Sequence, residues 1–123
     1  MSEQMPPPGA ERDAEIARLL GWEVEPPDSS FAGGVKIPGA TIYHYPSTDS
    51  YSCDVFVVEL TRLGWQVQFI ADADSCAAFL LDAERASGPQ PVALSESDRK
   101  RVGIGRNRPD AISAAALLAL RPR

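Results

Sequence analysis

The period of the apolar pattern changes at Gly64, and that change constrains the fold more than any other feature of the chain. Over residues 47–63, Cys53, Phe56, Val57 and Leu60 recur at i, i+3, i+4 and i+7, the spacing of one helical face. Tyr51, Val55 and Val58 are expected to widen this buried stripe. Ser47 or Thr48 supplies the cap, and Asp49 puts a negative charge in the first turn, where the helix dipole favours it. Gly64 stops the helix. Trp65, Val67 and Phe69 then alternate with Gln66, Gln68 and Ile70, as in a strand with one wet face. A helix followed at once by such a strand implies an α+β chain.

The flanks fit that class. Residues 11–20 carry Ile16, Leu19 and Leu20 at helical spacing, with Glu11, Asp13 and Glu15 toward the start, and Gly21 can take the left-handed conformation that ends a helix. Trp22 is expected to fold back on the last turns. Residues 23–47 are rich in turn signals (Pro26-Pro27, Gly33-Gly34, Pro38-Gly39), with a short edge strand expected at 40–45. Asp72-Ala73-Asp74-Ser75 reads as a turn that returns 76–82 as an antiparallel partner strand; a helix over 76–86 is the alternative, because Ala, Leu and Glu suit one. Short strands are expected at 91–94 and 101–105. Residues 107–120 form the third helix: Asn107 and Asp110 stand in capping-box spacing, and Pro109 is tolerated in the first turn. Ile112, Ala115, Ala116 and Ala119 give it a small-residue face for a sheet. The expected architecture is a short antiparallel sheet of three to four strands with about three helices in an α/β/α sandwich. Residues 11–123 form one domain after a disordered tail over 1–10, where Pro6, Pro7 and Pro8 leave little to bury.

Composition narrows the function classes. The 123 residues carry 12 Lys+Arg against 17 Asp+Glu, a net charge of -5, and an acidic chain is a poor candidate for nucleic acid, whose binding rests on neutralising phosphates. No apolar run approaches the roughly 20 residues of a membrane span, and the first residues lack the basic and apolar regions of a signal peptide. The chain is therefore expected in the cytoplasm, where Cys53 and Cys76 stay reduced and serve as small core residues. His44, the only histidine, has no nucleophile or orienting acid in its local sequence, and no metal-ligand spacing is present. No catalytic residue, metal or cofactor is expected, and the chain reads as a non-enzyme.

Positive charge is nevertheless gathered in one place. Arg99, Lys100, Arg101, Arg106 and Arg108 give residues 99–108 five positive charges and no acid; the other 7 Lys+Arg face all 17 acids, a balance of -10. Gly103 and Gly105 lie in this stretch, which runs into the third helix at Asn107. Glycines let backbone approach a ligand, helix N-termini offer free N–H groups, and guanidinium forks suit phosphate or carboxylate. Arg101, Gly103, Gly105, Arg106, Asn107 and Arg108 are thus candidates for holding a small anionic, nucleotide-like ligand; the alternative is a solvated basic loop that offsets the acidic surface. Ser47 and Thr48 are further candidates beside their capping role, and Tyr43 and Tyr45, with Trp22 and Trp65, are candidates either to stack on a base or to pack in the core. A small domain rarely encloses a ligand alone, so a homo-oligomer is expected.

A helix closing on Leu20-Gly21-Trp22, a Pro/Gly loop, Tyr45-Pro46-Ser47-Thr48-Asp49 opening a long helix, a tryptophan strand and a last alanine-rich helix beginning Pro109-Asp110-Ala111-Ile112 follow one another. Over about residues 12–120 this resembles the phage ABA sandwich domain family. The resemblance implies a phage or prophage origin, and with it the host cytoplasm and a short antiparallel sheet between helical layers. It implies no settled activity. Two readings follow: a binder that sequesters a nucleotide-like host immune signal, or a protein–protein interaction module that inhibits a host factor through its acidic surface.

Overall fold

The computed structural model describes residues 5–25, 33–40, 42–71, 74–82 and 101–121. Its elements are α1 (Ala10–Leu20), β1 (Glu23–Val24), β2 (Val35–Lys36), α2 (Ser50–Arg62), β3 (Trp65–Ala71), β4 (Cys76–Asp82), β5 (Gly103–Gly105) and α3 (Arg108–Leu120). The chain is α+β: among the described residues, three helices accompany a β1–β2 ribbon and an antiparallel sheet in the order β3–β4–β5.

The last helix is the centre of the molecule. Ala111, Ile112, Ser113, Ala114, Ala115, Ala116 and Leu117 are all buried, and a helix without a wet face belongs inside. It packs against β4 and β5 and also against α1 and α2. Across the sheet, Phe69, Ala78 and Gly103 stand opposite one another, and Ile70, Ala77 and Ile104 form the neighbouring row on the other face. Trp65, Val67, Phe69, Cys76 and Leu80 pack on the helical core of Ile16, Cys53, Phe56, Leu60, Ile112 and Leu117. The described helices therefore cover this one face of the sheet, while Ile70 and Ile104 of the other are exposed.

Residues 76–82 are the strand rather than the alternative helix, paired with β3 from Trp65↔Asp82 to Ala71↔Cys76. Gly21 is left-handed (φ 75°), and Trp22 N–H returns to the Ala17 carbonyl at 2.8 Å while its ring meets Phe56 edge-on at 6.0 Å.

Elsewhere the structure departs from expectation. Among the described residues of 40–45 the expected edge strand is reduced to a single bridge from His44 to Val35, after the chain turns at Pro38-Gly39 (φ 82° at Gly39). Asp49, not Ser47 or Thr48, caps α2, its carboxylate accepting from Ser52 N–H at 2.8 Å. Ser47 is unavailable because it is buried against α1. Of the tail expected over 1–10, residues 5–10 meet the rest of the chain: Met5 packs on the core, the Pro6 carbonyl accepts from Arg12, Gly9 bonds to Ser47 and Ala10 opens α1. The strand expected at 101–105 is confined to Gly103–Gly105. The strand expected at 91–94, together with Arg99 and Lys100, lies outside the described residues.

Candidate functional site

The start of α3 is occupied by the chain's own groups. Asn107 Oδ1 accepts from Asp110 N–H at 3.0 Å, and Asp110 Oδ2 accepts from Arg106 N–H at 3.0 Å. Asp110 Oδ1 receives Arg12 Nη1 at 2.7 Å; Arg12, 4% exposed, also donates to the Asp110 carbonyl at 3.0 Å and to Ser113 Oγ at 3.1 Å. The glycines are accounted for from the same side. A Cβ on Gly103 would stand 2.3 Å from Ala115 N and 2.5 Å from the Ala111 carbonyl oxygen, and one on Gly105 would stand 2.6 Å from Ala111 N. Both positions carry glycine because β5 lies against the backbone of α3. Arg108 forms an ion pair with Asp54 of α2. Arg106 is exposed and Arg101 half-buried, and neither side chain makes an ion pair among the described residues.

Of the other candidates, only Ser47 joins this region. Its Oγ accepts from Gly9 N–H at 2.8 Å, and its N–H donates to Asp13 Oδ1 at 3.0 Å. Consecutive residues of α1, Arg12 and Asp13, thus hold the start of α3 and the turn before α2. Burial pushes the Asp13 carboxyl up to about 6, against the opposing pull of Ser47 and Arg12. Asp13 Oδ2 is buried without a partner. Arg12 had no part in the sequence reading and Asp13 only that of a first-turn charge; the available signal was that both fall on the face of Ile16, four and three residues ahead of it. Tyr43 lies at the ribbon: its hydroxyl bonds Glu25, which raises its pKa, and Lys36 Nζ sits 5.9 Å from its ring. The Tyr45 carbonyl accepts from Thr48 N–H at 3.1 Å and Asp49 N–H at 2.9 Å, closing the turn before α2. These contacts place Tyr43, Tyr45 and Thr48 on other elements than Arg101, Arg106 and Arg108.

A different surface stands out on α2. Cys53, Phe56 and Leu60 are fully buried, but Tyr51 and Val58, expected in the same stripe, are 64% and 69% exposed. They recur with Val55 at i, i+4 and i+7, and while half-buried Val55 also packs against the core, Tyr51 and Val58 give α2 a second apolar side turned away from it. Ile42 is 57% exposed. Gly39, Ala40, Ile42, His44, Tyr51 and Val55 line a groove of about 280 Å³, open to solvent. A neighbouring hollow of about 340 Å³ shares Gly39 and Ala40 and is lined by Trp22, Glu23, Lys36 and Ile37.

His44 lies at the bottom of the groove, 2% exposed, with its ring 5.9 Å from that of Tyr51. Its Nδ1 is 3.1 Å from Ser52 Oγ. Burial lowers the His44 pKa, Asp49 opposing the shift, so the imidazole is neutral at pH 7. Ser52 is itself buried and does not line the groove. The bond therefore orients the ring and activates no exposed nucleophile. Among the described residues, no group of three or more His, Cys, Asp or Glu is placed to hold a metal, and no helix is long and apolar enough to cross a membrane.

Fold and surface together define a small α+β domain whose second helix is apolar on two sides. No family model, curated protein or solved structure matches the chain.

Proposed function

We propose that the protein is a non-enzymatic interaction module that docks on another protein through the outer face of α2. The observation that supports this is the second apolar stripe: Tyr51 and Val58 stand in water, beside the groove that Ile42 flanks, although the core holds the opposite side of the same helix. Clustered apolar surface of this kind marks interaction sites, whereas scattered single residues do not. Asp49 is exposed at the start of the same helix, and the chain carries -5 overall, which suits a basic partner and a salt-sensitive association. The resemblance to phage ABA sandwich proteins is the ground for expecting that partner in a bacterial host. A photo-crosslinking residue placed at position 58, with position 18 on the exposed side of α1 as control, tests the reading in cells. One protein trapped from 58 but not 18, with capture lost when Tyr51→Lys is added to the same chain, is the expected result. Equal trapping from both positions, or capture from 58 that survives Tyr51→Lys, refutes it.

The gathered positive charge favours a second reading, in which a small anionic, nucleotide-like ligand binds at the start of α3, closed by a second copy of the chain. Arg101 and Arg106, unpaired among the described residues, would hold it. Thermal melting with cyclic nucleotides and ADP-ribose derivatives tests it. A rise in Tm that Arg106→Ala removes supports it, and no rise with any of them sinks it.

A further inference from the structure

We propose that a second copy of the chain adds edge to edge along β3, antiparallel and centred on Gln68, so that two three-stranded sheets join into one of six strands. The inference goes beyond the docking reading and uses none of its residues.

The two edges of the sheet differ. The order β3–β4–β5 leaves β3 and β5 with one neighbour each. β5 has three residues, glycine at both ends, and Arg101 and Arg106 on its flanks. Short length and nearby positive charge guard an edge against pairing with another chain. β3 has neither guard. It runs for seven residues, Trp65–Ala71, and holds no charge, proline or glycine. Its register with β4 is unbroken from Trp65↔Asp82 to Ala71↔Cys76, so no bulge bends it away. Alternate residues of such a strand aim N–H and C=O away from the neighbour already paired. Among the described residues, no backbone other than that of β4 bonds to β3.

The side chains of β3 argue for another copy of itself. Antiparallel pairing about Gln68 sets Val67 against Phe69 of the second copy, and Trp65 against its Ala71, large beside small. Val67 and Phe69 lie on the helix-covered face yet stay half-buried, whereas Ala78 of the inner strand is fully buried; a second β3 covers what the edge leaves open. On the other face Gln68 meets Gln68, and exposed Gln66 meets Ile70, which is 63% exposed. An amide both donates and accepts, so glutamine matches itself, as lysine or glutamate does not. Within one chain Gln68 Nε2 donates to Gln66 Oε1 at 2.7 Å, which leaves the Gln66 N–H groups and the Gln68 oxygen for the diagonal pair across the two-fold axis. Charge points the same way. Each chain carries -5, so two copies repel on average, and a neutral strand is where they can approach. β5, which leads into α3, stays at the outer ends of the joined sheet, so this contact is also separate from the anionic-ligand reading.

Sedimentation equilibrium of the full chain over a range of concentrations tests the proposal. The expected result is a reversible monomer–dimer equilibrium that added salt does not weaken, because no ion pair crosses the contact. Amide hydrogen exchange in β3 slows as concentration rises, while that in β5 does not. Gln68→Lys and Gln68→Glu each set like charges opposite one another and raise the dissociation constant at least about fivefold. An equimolar mixture of the two variants associates at least as tightly as the parent, since unlike charges then face each other. Ile104→Lys, at an exposed position of β5 on the same face as Gln68, leaves association unchanged. A chain that stays monomeric up to about 1 mM overturns the proposal. So does exchange in β3 that is independent of concentration, a dimer that Gln68→Lys leaves intact, or a mixture that does not recover association. An equal loss from Ile104→Lys overturns it too, because the sheets would then stack face to face. None of these results bears on docking through α2, which is read from trapping at position 58.

Discussion

Replacing Gly103 by alanine separates two explanations of a glycine in a basic stretch. If the glycine admits a ligand, an added methyl group leaves the empty protein untouched and harms binding alone. If it admits the α3 backbone, the methyl group harms the fold. The added carbon would lie 2.3 Å from Ala115 N, 2.5 Å from the Ala111 carbonyl oxygen and 2.8 Å from Ala115 Cα. All three obstacles are backbone atoms of a helix buried on every side, so strand and helix must separate. Overpacking of this kind costs about 3 kcal/mol, and the stiffer unfolded chain returns up to about 1, leaving a net loss of about 2 kcal/mol. At about 2.1 cal/mol/K per residue over 123 residues, that loss lowers Tm by about 8 °C. Thermal unfolding followed by circular dichroism measures it, with Ile104→Ala as the control, since Ile104 is exposed in the same strand. A Gly103→Ala chain melting within 2 °C of the parent, a margin well below the roughly 8 °C expected, refutes the close packing of β5 on α3.

Three further predictions concern the buried polar groups. Arg12→Met strands the Asp110 carboxylate and is expected to cost about 3–5 kcal/mol in urea unfolding, while adding Asp110→Ala recovers part of the loss; strictly additive losses refute the pairing. The folded-state pKa of Asp13, about 6, lies above its ordinary 3.8, so the stability it contributes is present at low pH and lost as pH rises through about 6. Between pH 5 and pH 7.5 the parent should therefore lose about 1 kcal/mol relative to Asp13→Asn, and parallel pH curves for the two chains refute this. Burial pushes the Cys53 thiol up to about 11, whereas Cys76 is only half-buried. A thiol reagent should modify Cys76 in the native chain and Cys53 only on unfolding; equal rates refute that.

What the sequence disclosed was whatever a local pattern encodes. Gly21, the alternation from Trp65 and the capping spacing of Asn107 and Asp110 each act within a few residues, and each appears in the structure where it was expected. The β1–β2 ribbon has two residues per strand, too few to show a period. Arg12 and Asp110 are 98 residues apart, so nothing near either discloses the partner. Gly103 and Gly105 correctly signalled a close approach, but a glycine does not say what approaches; here it is the chain's own helix. Tyr51 and Val58 failed for another reason. Apolar periodicity finds stripes on a helix without saying which of them the core takes; Tyr51 and Val58 lie roughly opposite Cys53, Phe56 and Leu60, and only the packing shows that the core holds the second set.

That second stripe also limits what kind of contact it can support. Fully burying a large apolar side chain gives about 1.5–3 kcal/mol, and Ile42, Tyr51 and Val58 still have roughly two thirds of that to gain, about 3–6 kcal/mol together. Association costs at least about 4 kcal/mol in lost translational and rotational freedom. The stripe alone therefore roughly cancels that cost and holds no partner. A working interface must draw its surplus from elsewhere, and the groove over His44 and exposed Asp49 are the features positioned to supply it. Because the margin is small, loss of any one contributor should abolish capture rather than weaken it by a share. With the crosslinker at 58, Tyr51→Ala, Ile42→Lys and high salt should each reduce trapped partner to background, and graded partial losses from all three would mean that the contact is larger than this face of α2.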